Sequence, residues 1–123
     1  MRPYASLRGR REFALAMRRG FATATPSFTM FGYEPRDAAP GRSKIGFVVP
    51  RAVGGAVVRN RLRRRCRAIF DTADFGARPR WYVVQCRAEA ANLPFGELKE
   101  QLLAAFARAR VEGLRARPVR KAT

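Results

Sequence analysis

The run from Gly54 to Phe70 constrains this chain more than any other stretch. It reads as a helix with an apolar seam set in a basic surface. At about 100° per residue, Val58, Leu62, Cys66 and Ile69 share one face. Arg59, Asn60, Arg63, Arg64 and Arg67 fall together on the opposite face, and Arg61 and Arg65 flank the seam. Flanking arginine stems lie along apolar surface while their guanidinium heads reach outward. Such a helix docks on a core and still presents a dense cation array. The array repels itself unless a polyanion neutralises it.

The whole chain shares this bias. Its 123 residues hold 26 Lys+Arg against 9 Asp+Glu, a formal net charge of +17, and the isoelectric point is near 11.7. A charge this large speaks for nucleic acid or an anionic membrane as partner and says little about fold. The lysines are only Lys44, Lys99 and Lys121. Arginine suits planar, bidentate phosphate contacts and stacking on bases. A GC-rich genome accounts for arginine over lysine, but not for the excess of base over acid.

The length fits one domain, 1–123, with an ordered core over about 7–110 and a basic tail over 111–123. With 47% hydrophobic residues the chain can bury a core, which separates it from disordered basic tails. No apolar run approaches the roughly 18 residues of a membrane helix. The start, Met1 to Tyr4, lacks the apolar centre of a signal peptide. Cys66 and Cys86 stand far apart and the chain has no histidine, so the usual zinc spacings and a histidine base are excluded. Both cysteines sit in apolar patterns and read as buried free thiols, which points to the cytoplasm. Glu12, Asp71 and Asp74 make no recognised metal site and read as surface acids.

Along the chain, Arg10 to Arg19 reads as a short helix, with Phe13 and Met17 one turn apart and Gly20 as a stop. Ser27 to Glu34 alternates as a strand, Phe28 and Met30 on one side, Thr29, Phe31 and Tyr33 on the other. Phe28's side is expected in the core and Phe31's side in a groove. Pro35 to Arg42 reads as a turn-rich connection. Lys44 to Val49 is a second strand stopped by Pro50, and Trp81 to Cys86 a third. Asp71 to Arg80 connects the basic helix to that strand. Asn92 to Pro94 opens a last helix with Leu98, Leu102, Ala105 and Ala109 as its core stripe. Phe47, Trp81 and Phe106 read as core or sheet packing. The order is helix, strand, strand, helix, strand, helix. The class is α+β with one sheet.

These residues resemble a family. Ile45 to Val49, followed by Val53-Gly54 and the Arg59-Asn60-Arg61 helix, looks like the signature of the bacterial ribonuclease P protein subunit. Glu12-Phe13 through Gly20 resembles that family's first helix, Phe28 to Phe31 its first strand, and Glu97-Leu98 the start of its last helix. The resemblance implies an α-β sandwich like the second domain of ribosomal protein S5, with a left-handed βαβ crossover. That hand would break the strong right-handed preference. It also implies a role. Ribonuclease P removes the 5′ leader of precursor tRNA, its RNA subunit being the catalyst and using magnesium ions. The small protein binds that RNA and the leader.

Carried over residue by residue, Arg59, Asn60, Arg61, Arg63, Arg64 and Arg67 match the helix that faces the catalytic RNA. Arg51 matches one of two usual lysines in the preceding loop, and Ala52 stands at the other. Pro50 stands where serine is common, and Gly55 where asparagine is common. Phe13 and Phe31 match aromatic positions of a cleft for the single-stranded leader, and Met17 replaces a second helix aromatic there. Partners implied are the catalytic RNA and precursor tRNA, with no membrane and no obligate protein partner. Two other classes compete. One is a non-catalytic ribosomal or DNA-binding structural protein laying the same helix in a groove. The other is a protein-only nuclease, which the lack of a carboxylate cluster or histidine base disfavours.

Overall fold

A computed structural model describes residues 2–35, 41–76 and 78–115, with side chains described as far as residue 110. The chain runs β1 (Tyr4–Ser6), α1 (Gly9–Arg19), β2 (Phe21–Ala24), β3 (Phe28–Tyr33), β4 (Ser43–Val48), α2 (Ala56–Phe70), β5 (Trp81–Cys86) and α3 (Phe95–Arg115). The strands form one five-stranded sheet in the order β1-β4-β5-β3-β2. β4 pairs with β1 and β5 in parallel, while β3 pairs antiparallel with β5 and β2. A parallel pair needs a crossover, and α2 supplies it between β4 and β5. The α+β class and single sheet expected from the pattern are present.

Strand alternation divides the side chains between two layers. Phe28, Met30, Ile45, Tyr82, Val84 and Cys86 point to the face covered by α2 and α3. There Leu62, Cys66, Ile69 and Phe70 meet Leu98, Leu102, Ala105 and Phe106. Phe106 is the hub of an aromatic cluster, with edge-on contacts to Phe70, Phe75 and Tyr82 at centroid distances of 5.4, 5.0 and 4.9 Å. Such pairs add about 0.5–1.5 kcal/mol each beyond area burial. Phe75 comes from the connection after α2, which the sequence pattern marked only as loop. Both cysteines are buried free thiols among these residues. The hydrogen bond with Cys86, together with burial, pushes the Cys66 thiol well above its ordinary value, so it packs rather than reacts.

The other face carries α1 alone. Leu7, Ala16 and Val83 are buried there, with Phe13, Met17, Phe31, Tyr33, Val48 and Trp81 packed around them. Gly20 lets the end of α1 approach β3. A Cβ on it would collide with the carbonyls of Ala16 and Gly32.

The buried Arg80 ties β5 to its surroundings. Its backbone N–H donates to the Ser43 hydroxyl at 3.0 Å, and its guanidinium reaches the Arg110 carbonyl of α3 at 3.3 Å and Glu34 at 3.6 Å. β1 and β2 went unread in the sequence, because three- and four-residue edge strands carry too little alternation to register. α3 runs to Arg115, so the first part of the segment expected as tail is helical. Residues 116–123 lie outside the described residues, as do 36–40 of the turn-rich connection.

Candidate nucleic-acid interface

α2 begins beyond a short 3₁₀ turn, Arg51–Val53, in which Val53 is buried and Arg51 exposed. Gly55 caps the helix with extended backbone and no side-chain hydrogen bond. Val58 packs against the core, Leu62, Cys66, Ile69 and Phe70 are buried in it, and the arginines are left to the surface.

The arginines do not form a single outward face. Asn60, Arg61 and Arg64 are exposed, whereas Arg59, Arg63, Arg65 and Arg67 are half-buried. The expectation that Arg59, Arg63 and Arg67 lie opposite the seam is therefore corrected: they form one flank of it. Arg59 donates to the Gly54 carbonyl at 3.0 Å and Arg63 to the Asn60 side-chain oxygen at 3.1 Å. The Arg67 guanidinium lies over the Phe47 ring, 6.0 Å from its centroid. On the other flank Arg65 donates to the Leu93 carbonyl at 3.3 Å. Hydrogen bonds and packing both fix these stems. Among the described residues none of Arg51, Arg59, Arg61, Arg63, Arg64 and Arg67 is paired with a carboxylate. Four of the described acids are engaged elsewhere: Glu12 with Lys44, Glu34 with Arg78 and Arg80, Asp71 with Arg2 and Asp74 with Arg110.

Phe13, Met17 and Phe31 come together on the α1 face of the sheet, each half-buried. Phe28 on the opposite face is wholly buried, as expected. Gly46 of β4 seats Phe13. A Cβ at that position would overlap the ring, so the aromatic lies directly on strand backbone. The glycine inside a strand pattern was the available signal for such a close approach. Tyr33 and Trp81 extend the same surface, in edge contact at 5.7 Å, and the Lys44 ammonium lies 5.5 Å from the Trp81 ring centroid. Trp81 thus packs, half-buried, on this face of the sheet. α1 is pinned above by Glu12, which accepts from the Arg8 N–H at 2.7 Å and from Lys44 at 3.0 Å. Burial pushes the Glu12 carboxyl up, but these two donors outweigh it and hold the group below its ordinary value.

Phe13 and two of the α2 arginines meet at the sheet edge. β1 ends at Ser6, opposite Ile45, while β4 continues to Val48. A hollow of about 130 Å³ opens there, lined by Leu7, Phe13, Gly46, Phe47, Arg63 and Arg67 among others. The Leu7 N–H donates to the Ile45 carbonyl at 3.2 Å. By strand alternation the backbone of Phe47 also faces this edge. The hollow therefore offers an aromatic wall from α1, peptide groups of β4, and two guanidiniums from α2.

Residues 1–110 match the family described as Ribonuclease P. The chain belongs to the ribonuclease P protein family. The ribonuclease P protein component of Shouchella clausii is 31% identical over 112 residues, covering 90% of this chain and 90% of the relative. That of Brucella melitensis is 38% identical over 108 residues, covering 78% of this chain and 73% of the relative. The RNase P protein from Thermotoga maritima superposes with a TM-score of 0.72 at 28% identity, covering 84% of this chain and 96% of that one. Membership in the ribonuclease P family gives the cation array its context: RNA binding in the service of a tRNA-processing endoribonuclease. Among the described residues no helix is long and apolar enough to cross a membrane.

Proposed function

We propose that this chain is the non-catalytic half of a cytoplasmic ribonucleoprotein. In this reading the ribonuclease P RNA is the catalyst, and the protein holds it and the 5′ leader of precursor tRNA together. Arg51, Arg59, Asn60, Arg61, Arg63, Arg64 and Arg67 bind the catalytic RNA. Phe13, Met17 and Phe31 form the wall on which leader nucleotides stack. The observation that carries the reading is the hollow at the β4 edge, where Phe13 and the α2 guanidiniums of Arg63 and Arg67 line one space. A single RNA strand lying there touches Phe13 and both guanidiniums at once.

The physical roles divide cleanly. Guanidiniums bind phosphates and release counterions, which gives affinity without regard to sequence. Stacking tolerates any base, at about 1–3 kcal/mol each, as a leader of varied sequence requires. Magnesium, in this reading, belongs to the RNA subunit and supplies the hydrolytic chemistry there. Among the described residues no three acidic or thiol side chains gather to hold the ion, and Glu12 and Asp71 are each held by a cation. No protein ligand is assigned.

The test is cleavage of precursor tRNA by the purified chain with and without ribonuclease P RNA at low magnesium. No cleavage by protein alone, and cleavage once the RNA is added, is expected. Cleavage by the RNA-free chain that survives replacement of the α2 arginines would overturn the reading.

A further inference from the structure

Four arginines of α1 have no part in the interface above; one of them, Arg19, falls beside Glu12 on the far side of the helix from Phe13 and Met17. Arg10, Arg11 and Arg18 are exposed. Among the described residues they have no carboxylate partner, and the helix's one acid, Glu12, is turned to Lys44. α1 lies on the opposite face of the sheet from α2, so these cations are not a continuation of the α2 array. Nor does helix stability explain them. Arg18 suits a helix C-terminus, but Arg10 and Arg11 stand in the first turn, where a cation opposes the helix dipole.

Their angular position is informative. Around the helix, at about 100° per residue, the order is Phe13, Met17, Arg10, Ala14, Arg18, Arg11. The first two are the cleft wall. The rest climb from the cleft's rim over the outer face, with the small Ala14 leaving the guanidiniums clear. Arg11 and Arg18 stand about 10.5 Å apart along the axis, which spreads the charge along a strand rather than onto one phosphate. A membrane surface is the poorer occupant, because an interfacial helix buries an apolar side, and that side of α1 is already packed on the sheet.

We propose that the outer face of α1 is a second RNA-binding surface, which takes the phosphates of the leader upstream of the nucleotides held in the cleft. This rests on the leader reading given above. The domain then grips one single strand twice, by stacking inside the cleft and by charge where the strand crosses α1.

The experiment uses the chain assembled with ribonuclease P RNA and compares precursor tRNAs whose leaders end within the cleft or run well beyond it. The variant carries Arg10→Gln, Arg11→Gln and Arg18→Gln, since glutamine keeps helix propensity. Wild type is expected to bind the long-leader precursor more tightly. The variant should lose that advantage while binding the short-leader precursor and the ribonuclease P RNA as wild type does. Its long-leader salt slope should fall by about 2, at about 0.7 per single-strand phosphate contact. Unchanged long-leader binding overturns the proposal. So does an equal loss on the short-leader precursor or on the ribonuclease P RNA alone, which would put a different RNA segment on α1. A wild-type chain that binds no ribonuclease P RNA refutes the underlying reading at an earlier step, and this proposal with it.

Discussion

Gly46 and Phe31 show how single residues shape the α1 face of the sheet. Phe31 faces α1 rather than the main core, and is half-buried where Phe28 is fully buried. Phe31→Ala should weaken binding of leader-bearing precursor tRNA by about 1–3 kcal/mol. Mature tRNA should be little affected, and the stability loss should stay under the roughly 3–5 kcal/mol of a core Phe→Ala change. Gly46→Ala should give the same selective loss by pushing the Phe13 ring off its seat. Equal effects on precursor and mature tRNA in either variant would mean that the aromatics only pack. Glu12 carries a pH signature. Its folded carboxyl is held below the ordinary value, so its contribution is present above the unfolded value of about 4.3 and is lost as pH falls through the folded one. Glu12→Gln should lower stability at neutral pH by at most about 1 kcal/mol and flatten the acid limb of a denaturation series. An unchanged acid limb would show that Glu12 does not anchor α1.

At the scale of elements, α2 separates binding from folding. Its seam residue Leu62 is 2% exposed, and Leu62→Asp places an unpaired charge in the core, so the domain should fail to fold. Replacing Arg59, Arg63 and Arg67 by Ala should instead leave a cooperative melt, lowered slightly by the packing that Arg67 loses on Phe47. Binding of ribonuclease P RNA should drop strongly in a titration. Wild-type affinity in that triple variant would move the interface off this flank. The periodicity of α2 was readable from sequence because both its faces are encoded locally. Which flank opens on the β4 edge was not, since that depends on where β1 stops.

For the whole molecule the governing quantity is charge. The +17 excess is neutralised by the phosphates of an RNA, which gives up its condensed counterions on binding. If on the order of 6–10 phosphates are neutralised, affinity for ribonuclease P RNA should fall by roughly 10³–10⁵ between 50 and 200 mM salt. Filter binding or fluorescence titration across that range checks it, and a nearly flat response would mean that the arginines are not the binding surface. The sheet sets this charge out in two layers, α2 on one face and α1 on the other, with Phe13, Met17 and Phe31 packed on the α1 face.

The sequence by itself determined the class, the three helices, three of the five strands and the partner's charge. Those follow from local repeats of 2.0 and 3.6 residues and from net charge, which need no knowledge of distant contacts. Tertiary structure alone decided the rest. β1 and β2 exist because β4 and β3 offer them edges. Phe75 became core because the chain after α2 folds back over Tyr82. The meeting of Phe13 with Arg63 and Arg67 joins residues 50 and more positions apart. It depends on the parallel crossover and on the short β1, which no local pattern encodes.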